Sequence, residues 1–509
     1  MAAGRFKLVT VVAMPLSKFF CASWSIGLAA ALLAAVPLGR IAKADNIVGD
    51  VAPVPATEGA FRHLRALQDI ASMNGGNRAA GTPGYDRSAE YVAEKLKEAG
   101  YLVHFEDFEF PFFEERVPPV LLVSYLDGRQ EPPPAAALRT LTNSGSSNLT
   151  ARLHSVSLGI AGDGPPPLSA SGCKASDFEE FERDRVALIR RGTCTFQTKV
   201  ENAVAAGAAG VVIMNEGIDG RTDAFSGQLN QLAPIPVVGV PYQVGRSLEI
   251  AARGGAGVRL EVNAVTGKRL TRNVLADNAW NSDSALIIVG AHLDSVPEGP
   301  GINDNGSGSA VVLEAALRLA PGPSRARTSI RFAFWGAEER GLIGSRHHLG
   351  ALSEEVRRHI ALYINLDMVG SPNFARFVQG SAATGEGLAG MVRRELLADF
   401  REHNLSVEER AAGRFGSDDA PFSQKGIPTV GLYTGAGGLK SETQASFFGG
   451  AADQPYDPCY HRSCDTIENI NRDVLEQNTH ALVRALAAIA AQALTTPHQK
   501  AVDSPEPEL

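Results

Sequence analysis

The stretch Leu286-Ile287-Ile288-Val289-Gly290-Ala291-His292-Leu293-Asp294-Ser295, followed by Gly301-Ile302-Asn303-Asp304-Asn305-Gly306-Ser307-Gly308, decides the fold of this 509-residue chain. A short apolar run closed by glycine predicts a buried strand over 286–289. The small-residue loop after it leads into an apolar-rich helix that begins near Ser307 and runs to Leu319. The pattern repeats downstream, with strands predicted over 329–335, 360–366 and 430–433 and helical segments between them. Such alternation argues an α/β fold with a mostly parallel central sheet wrapped by helices.

Polar residues stand just past these apolar runs: His292 after 286–289, Glu338 and Glu339 after Trp335, and Asp367 after Leu366, with His461 later in the chain. Ligands of open α/β sheets gather at that edge. Five side chains of ligand type, His292, Asp304, Glu339, Asp367 and His461, suffice for two metal ions if one carboxylate bridges. Each Zn²⁺ then has three protein donors and keeps a position for water.

Asp304 is the candidate bridge, because glycine and small residues let its loop pass close to a metal. Its structural alternative is a cap on the helix that follows. The adjacent acids Glu338 and Glu339 at a strand exit point in different directions, so one can ligate while the other holds a water. The bland counterparts are a solvated acidic turn, a strand-end turn at Asp367 and a buried, hydrogen-bonded His461.

Working outward, 44% hydrophobic and 20% charged content allows a large core and two domains. The first 44 residues carry Arg5, Lys7 and Lys18, an apolar run over 26–38, and Ala42-Lys43-Ala44 before Asp45. This pattern predicts a signal peptide over 1–44, removed on export, and a secreted or periplasmic protein. Pro37 and Arg40 break the run, which is shorter than the roughly 20 residues a membrane span needs, so no stable membrane association is expected after cleavage. The formal charge of −8 becomes more negative once the leader's basic residues are gone, which argues against nucleic acid as a partner.

Cys21 leaves with the leader, and Cys173, Cys194, Cys459 and Cys464 remain. In an oxidising compartment two disulfides are the simplest outcome, with three connectivities open. A bridge between Cys459 and Cys464 would close a tight loop around His461; direct thiol ligation of metal is the alternative.

Near the start, helices are predicted over 61–73 and 88–99, with the glycine-rich Asn74-Gly75-Gly76-Asn77-Arg78 between them. From about Phe112 the texture predicts short strands broken by Pro118 and Pro119, by Pro132-Pro133-Pro134 and by Gly164-Pro165-Pro166-Pro167. A small α/β module without catalytic clustering follows, with strands over 186–189, 211–215 and 235–238 and a helix over 196–208.

His292, Asp304, Glu338-Glu339, Asp367 and His461, with Asn74 to Arg78, Gly290 to Ser295, Trp335 to Gly344 and Tyr460-His461-Arg462-Ser463-Cys464-Asp465, resemble the secreted two-zinc aminopeptidases of the transferrin-receptor and glutamate-carboxypeptidase superfamily. The likeness is strongest to bacterial leucyl-type enzymes and covers about residues 55–110 and 270–490. The segment from Val186 through Arg190-Arg191-Gly192-Thr193-Cys194-Thr195-Phe196 into Val211 resembles the protease-associated domain. Together these imply a zinc peptidase domain over 45–115 and 267–497, an inserted protease-associated domain over 116–266 with a lid or substrate-access role, and a flexible tail over 498–509.

The resemblance implies that His292 and Asp367 bind one Zn²⁺ and that Glu339 and His461 bind another. It makes Asp304 the bridge, Glu338 the general base, Tyr460 a hydrogen-bond donor to the tetrahedral oxyanion, and Asp294 an orienter of the imidazole. The implied activity is removal of N-terminal residues from peptides with a free N-terminus, two Zn²⁺ serving as cofactors. One departure stands out: relatives carry Arg before Ser417 and His after Asp418, where this chain has Gly416 and Asp419, which weakens stabilisation of the substrate carbonyl or backbone unless nearby Arg414 substitutes from another direction. Three alternatives stay open: a carboxypeptidase of the glutamate-releasing branch, a glutaminyl cyclase, and a non-catalytic receptor-like binding protein.

Overall fold

The computed structural model describes residues 59–133, 137–158, 170–218, 220–278, 285–320, 329–380, 387–411 and 416–490. The expected leader, the prolines 165–167, Arg414 and the tail 498–509 lie outside the described residues. The chain opens with α1 (Gly59–Met73), α2 (Pro83–Glu98) and the long β1 (Leu102–Ser124). The small module then supplies β2 (Gln130–Glu131), β3 (Arg139–Thr140), β4 (Ser147–Ser155), β5 (Val186–Arg190), α3 (Phe196–Ala205), β6 (Gly210–Met214), β7 (Val237–Val240) and α4 (Tyr242–Arg253).

A second long strand, β8 (Gly257–Asp277), returns to the larger part. There follow β9 (Leu286–His292), α5 (Gly308–Arg318), β10 (Ser329–Trp335), α6 (Ile343–Ala351), α7 (Glu354–His359), β11 (Ile360–Leu366) and β12 (Phe377–Gly380). The remainder is α8 (Gly387–Glu402), β13 (Glu408–Ala411), α9 (Asp419–Gln424), β14 (Thr429–Tyr433), α10 (Glu442–Phe448) and α11 (Arg472–Ala490).

Local chemistry explains the boundaries. Thr82 caps α2 by accepting the Tyr85 N–H, and Pro83 occupies the first turn, where its missing N–H is no loss. β9 and β10 are buried at every residue, as parallel strands covered on both faces must be. Burial of Ile287, Val289, Phe332, Phe334, Leu362 and Ile364 against α5 and α11 forms the main core.

The sheet centre runs β10-β9-β11-β14 with all pairings parallel. Its flanks are antiparallel, β8 beside β10 and β12 beside β14. The expected parallel centre is therefore present within a mixed sheet. After β9 the chain moves first to β10 on one side and then across to β11 on the other, which opens a crevice at the carboxyl ends of these strands.

β1 and β8 pair antiparallel from Leu102↔Asp277 to Ser124↔Gly257. One end of β8 pairs with β10 and the other with β4, so an unbroken ribbon joins the main sheet to the small module. The expected boundaries at 115/116 and 266/267 fall inside these strands. The expectation that Pro118 and Pro119 break the segment into short strands is corrected: both lie in the register irregularity between Val117 and Val120, where no ladder donor is needed.

Within the module β4, β5, β6 and β7 are parallel neighbours and β3 adds antiparallel at the edge. Cys173 and Cys194 are disulfide-bonded, as are Cys459 and Cys464. Among the described residues no helix is long and apolar enough to cross a membrane.

Candidate metal centre

His292 is the last residue of β9, Asp367 follows β11 directly, and Glu338 and Glu339 lie in the turn after β10. Asp304 comes from the loop between β9 and α5, and His461 from the segment between α10 and α11. His292 Nε2 lies 3.4 Å from Asp304 Oδ1, 3.4 Å from Asp367 Oδ1 and 3.9 Å from Glu338 Oε2. His461 Nε2 lies 3.1 Å from Asp304 Oδ2 and 3.2 Å from Glu339 Oε2. Three donor trios result, His292–Asp304–Asp367, Asp304–Glu339–His461 and His292–Glu338–Glu339, each with its ligand atoms within 4.8 Å of one another, and Asp304 joins the first to the second.

The donor set suits metal ions. Asp304 Oδ2, Glu339 Oε1 and Asp367 Oδ1 are buried and accept no hydrogen bond, an arrangement that is costly unless a cation faces them. Imidazole nitrogen and carboxylate oxygen are the donors Zn²⁺ takes in hydrolytic sites.

A network missed in the sequence fixes Asp304. Asp465 accepts the backbone N–H groups of Asn303 and Asp304, at 2.9 Å and 3.0 Å. Asn303 Nδ2 donates to Asp457 Oδ2 at 2.6 Å, and Asn469 donates to both Asp457 and Asp465. The capping role considered for Asp304 falls instead to Asn305, whose Oδ1 accepts the Gly308 N–H at 2.8 Å while its Nδ2 donates to Leu366 O. Asp304 is thereby left facing the imidazoles. Gly308 is required there: a Cβ would stand 2.3 Å from Asn305 Oδ1 and 2.4 Å from Leu366 O.

Asp294 couples two strand ends. Its Oδ1 lies 3.7 Å from His292 Nδ1, while its two oxygens accept the backbone N–H groups of Glu338 at 3.1 Å and Glu339 at 3.3 Å. Arg78, fully buried, donates to the carbonyls of Leu293, Pro300 and Gly301 and so closes the loop between β9 and Asp304. The motif around Arg78 is visible in the sequence, but nothing there points to these acceptors more than 200 residues away. Gly301 has φ +61° in this loop, and a Cβ would meet Asp304 O at 2.4 Å.

The Cys459–Cys464 bridge spans His461, with 5.3 Å between the cysteine Cα atoms. His461 takes φ +57°, uncommon for a non-glycine residue, and its ring stacks on Tyr460 at 3.9 Å.

Electrostatics follow from crowding acids around two imidazoles. Burial opposes protonation of His292, yet Glu338 and Asp367 outweigh it and raise its pKa well above the usual value. Burial likewise opposes protonation of His461, but the Asp304 and Glu339 carboxylates, 3.1 Å and 3.2 Å from its Nε2, lift it to about 10. Glu339 is pushed up to about 7 by burial and then by the Asp304 charge. For Asp304 burial acts upward, and the two imidazoles overcome it to hold the carboxyl well below its ordinary range. The cluster attracts positive charge.

A cavity of about 570 Å³ opens on these residues, lined also by Met368, Arg410, Tyr433, Tyr456 and Tyr460. Gly416 and Asp419, the two departures, line it as well. Ser417 is anchored by a buried chain in which Trp335 Nε1 donates to Tyr363, Tyr363 to Asn365 Oδ1, and Asn365 Nδ2 to Ser417 Oγ. Arg410, which sequence reading passed over, stacks 3.4 Å from the centre of the Phe377 ring.

Comparison with known proteins agrees with this architecture. The model of peptidase family M28 matches residues 273–486, and the PA domain model matches 160–248. An aminopeptidase of Pseudomonas aeruginosa is 40% identical over 469 residues, covering 89% of this chain and 82% of its own. The probable lipoprotein aminopeptidase LpqL of Mycobacterium tuberculosis is 36% identical, covering 86% and 85%. Among solved structures, an aminopeptidase from Aneurinibacillus sp. strain AM-1 superposes with TM-score 0.64 at 26% identity, covering 85% of this chain and 94% of its own. A zinc aminopeptidase from Bacillus subtilis gives 0.59 at 27% identity, covering 86% and 97%.

Proposed function

The chain belongs to peptidase family M28 with an inserted PA domain, and from that premise we propose that it is an exported two-zinc aminopeptidase. The observation that carries this reading is the sharing of Asp304 between two donor trios. His292 and Asp367 would hold one Zn²⁺, Glu339 and His461 the other, and Asp304 would bridge them. When bound, the ions lower the pKa of water toward neutrality and polarise the scissile carbonyl.

Glu338 belongs to one trio only, with His292 and Glu339, and does not link two as Asp304 does; its Oε2 lies 3.9 Å from His292 Nε2. In this reading its carboxylate takes the proton from water and passes it to the leaving amine nitrogen. The Tyr460 hydroxyl donates to the carbonyl oxygen as the carbon becomes tetrahedral. Glu339 and Asp367 line the same cavity and offer negative charge to the free α-ammonium group of a peptide substrate, which restricts cleavage to the first residue.

Two disulfides accord with an oxidising compartment and with removal of residues 1–44 on export. The PA domain, over 116–266 in this reading, touches the Glu338–Glu339 turn where Gln228 Nε2 donates to Arg340 O at 2.9 Å, which supports a role in substrate access. Assay of the purified protein on amino-acid arylamides, N-blocked peptides and C-terminal reporter peptides, with and without chelator and with metal analysis, tests the reading. The expected result is chelator-sensitive release from free N-termini with two zinc ions per chain. Activity confined to blocked peptides would overturn it.

A further inference from the structure

Among the described residues, one further grouping of metal-type donors lies away from the cavity: Asp399, His403 and His480. We propose that these residues form a separate peripheral site for Zn²⁺ or another imidazole-preferring divalent ion, stapling the C-terminal helix α11 to α8.

Asp399 and His403 are four residues apart on the turn that ends α8, so they share a face. His480 meets them from α11. One ligand atom from each side chain lies within 4.8 Å of the others, and the two imidazole rings sit 5.0 Å apart at 80°. Asp399 is buried at 2% exposure, whereas the imidazoles are half exposed, at 51% and 52%. A buried anchor with two open imidazoles leaves room for water to complete the coordination shell. Nitrogen donors with a single carboxylate favour Zn²⁺, Ni²⁺ or Cu²⁺ over Ca²⁺ or Mg²⁺.

One detail points beyond a plain ion pair, and a second fixes the orientation of an imidazole. His480 Nδ1 lies 2.8 Å from Asp399 Oδ1, yet that buried oxygen accepts no aligned hydrogen bond. The same combination occurs at the candidate catalytic centre, where Asp304 Oδ2 is 3.1 Å from His461 Nε2 and also lacks one. In addition, His403 Nδ1 is 2.8 Å from the Asp399 carbonyl oxygen, which can only accept. The ring is therefore held with its proton on Nδ1, which leaves the Nε2 lone pair as the one able to ligate. Arg484 approaches Asp399 Oδ1 at 3.5 Å, but Glu402 engages the same guanidinium, with Nη2 to Oε1 at 2.9 Å, and Glu395 lies 4.0 Å from its Nε. Local charge remains negative.

The test compares the full purified chain with a His403→Ala/His480→Ala double variant, both stripped and reloaded at micromolar free Zn²⁺. Zinc per chain is measured by mass spectrometry after gel filtration, and melting temperature with and without added Zn²⁺. The expected result is one zinc fewer in the variant, a zinc-dependent rise in melting temperature present in the parent and reduced in the variant, and unchanged peptidase activity. Equal zinc content, or a variant whose melting temperature falls by the same amount with and without zinc, would overturn the proposal in favour of a simple ion pair. Because the readout is a difference between two chains, it is independent of how many ions the cavity holds. Exposure of both imidazoles keeps the double variant foldable, and His480→Gln alone, which should also lose the extra ion, provides a milder check.

Discussion

Asp465 Oδ2 accepts the backbone N–H of Asp304 at 3.0 Å, joining positions 161 residues apart. Its other oxygen accepts the Asn303 N–H, so one buried carboxylate sets the path of the backbone that carries the candidate bridging ligand. Leaving a buried donor without an acceptor costs about 1–3 kcal/mol. Asp465→Ala is expected to destabilise the protein by roughly 2–5 kcal/mol and to reduce zinc retention, whereas Asp465→Asn, keeping one acceptor oxygen, should lose less. Thermal melts with metal analysis decide; an unchanged melting temperature for the alanine variant would refute the role.

Glu338→Gln preserves shape and removes the proton acceptor. A fall in kcat of about 10²- to 10⁴-fold is expected, the usual contribution of general acid–base catalysis, with zinc content unchanged. Full turnover by this variant would remove Glu338 from the chemistry.

Arg78→Lys tests whether the fork of the guanidinium is needed. Arginine reaches three carbonyls of the 293–301 loop at once, which a compact ammonium on a flexible stem does not reproduce. Loss of roughly 2–4 kcal/mol is expected from unmet carbonyls, read as a lower denaturant midpoint. An unshifted midpoint would show that the loop holds without the fork.

Lys199 in the small module, outside the lining of the candidate site's cavity, gives a pH signature of its own. Its Nζ is buried against Ser171 O at 2.5 Å, and burial lowers its pKa to about 8 from the ordinary 10.5. Because the folded value is the lower one, the unfolded chain binds more protons between pH 8 and 10.5. Stability from this group therefore rises with pH across that window, by on the order of 3 kcal/mol. Lys199→Met should flatten the rise in urea midpoints measured over the same range; parallel profiles for the two proteins would contradict the assignment.

Much of the site is legible in the sequence because the signals are local. Apolar runs of strand length end at β9, β10 and β11, and His292, Glu338, Glu339 and Asp367 follow within a few residues, so the fold delivers them to one sheet edge. The prolines at 118 and 119 mislead because a bulge that absorbs them depends on the partner strand β8. Asp304 and Asn305 are equally good caps by residue type; the Gly308 and Leu366 backbone decides between them.

By itself the sequence determines the α/β alternation, the order of candidate ligands and the placing of cysteines around His461, since each rests on spacing along one stretch of chain. Tertiary structure alone decides which donors converge with Asp304, that Asp465, Asn303 and Arg78 hold its loop, and that β1 and β8 run unbroken between the two parts. Those outcomes depend on burial and on hydrogen-bond partners far away in sequence. A polar side chain takes its role from whichever donor or acceptor the fold leaves unmet beside it.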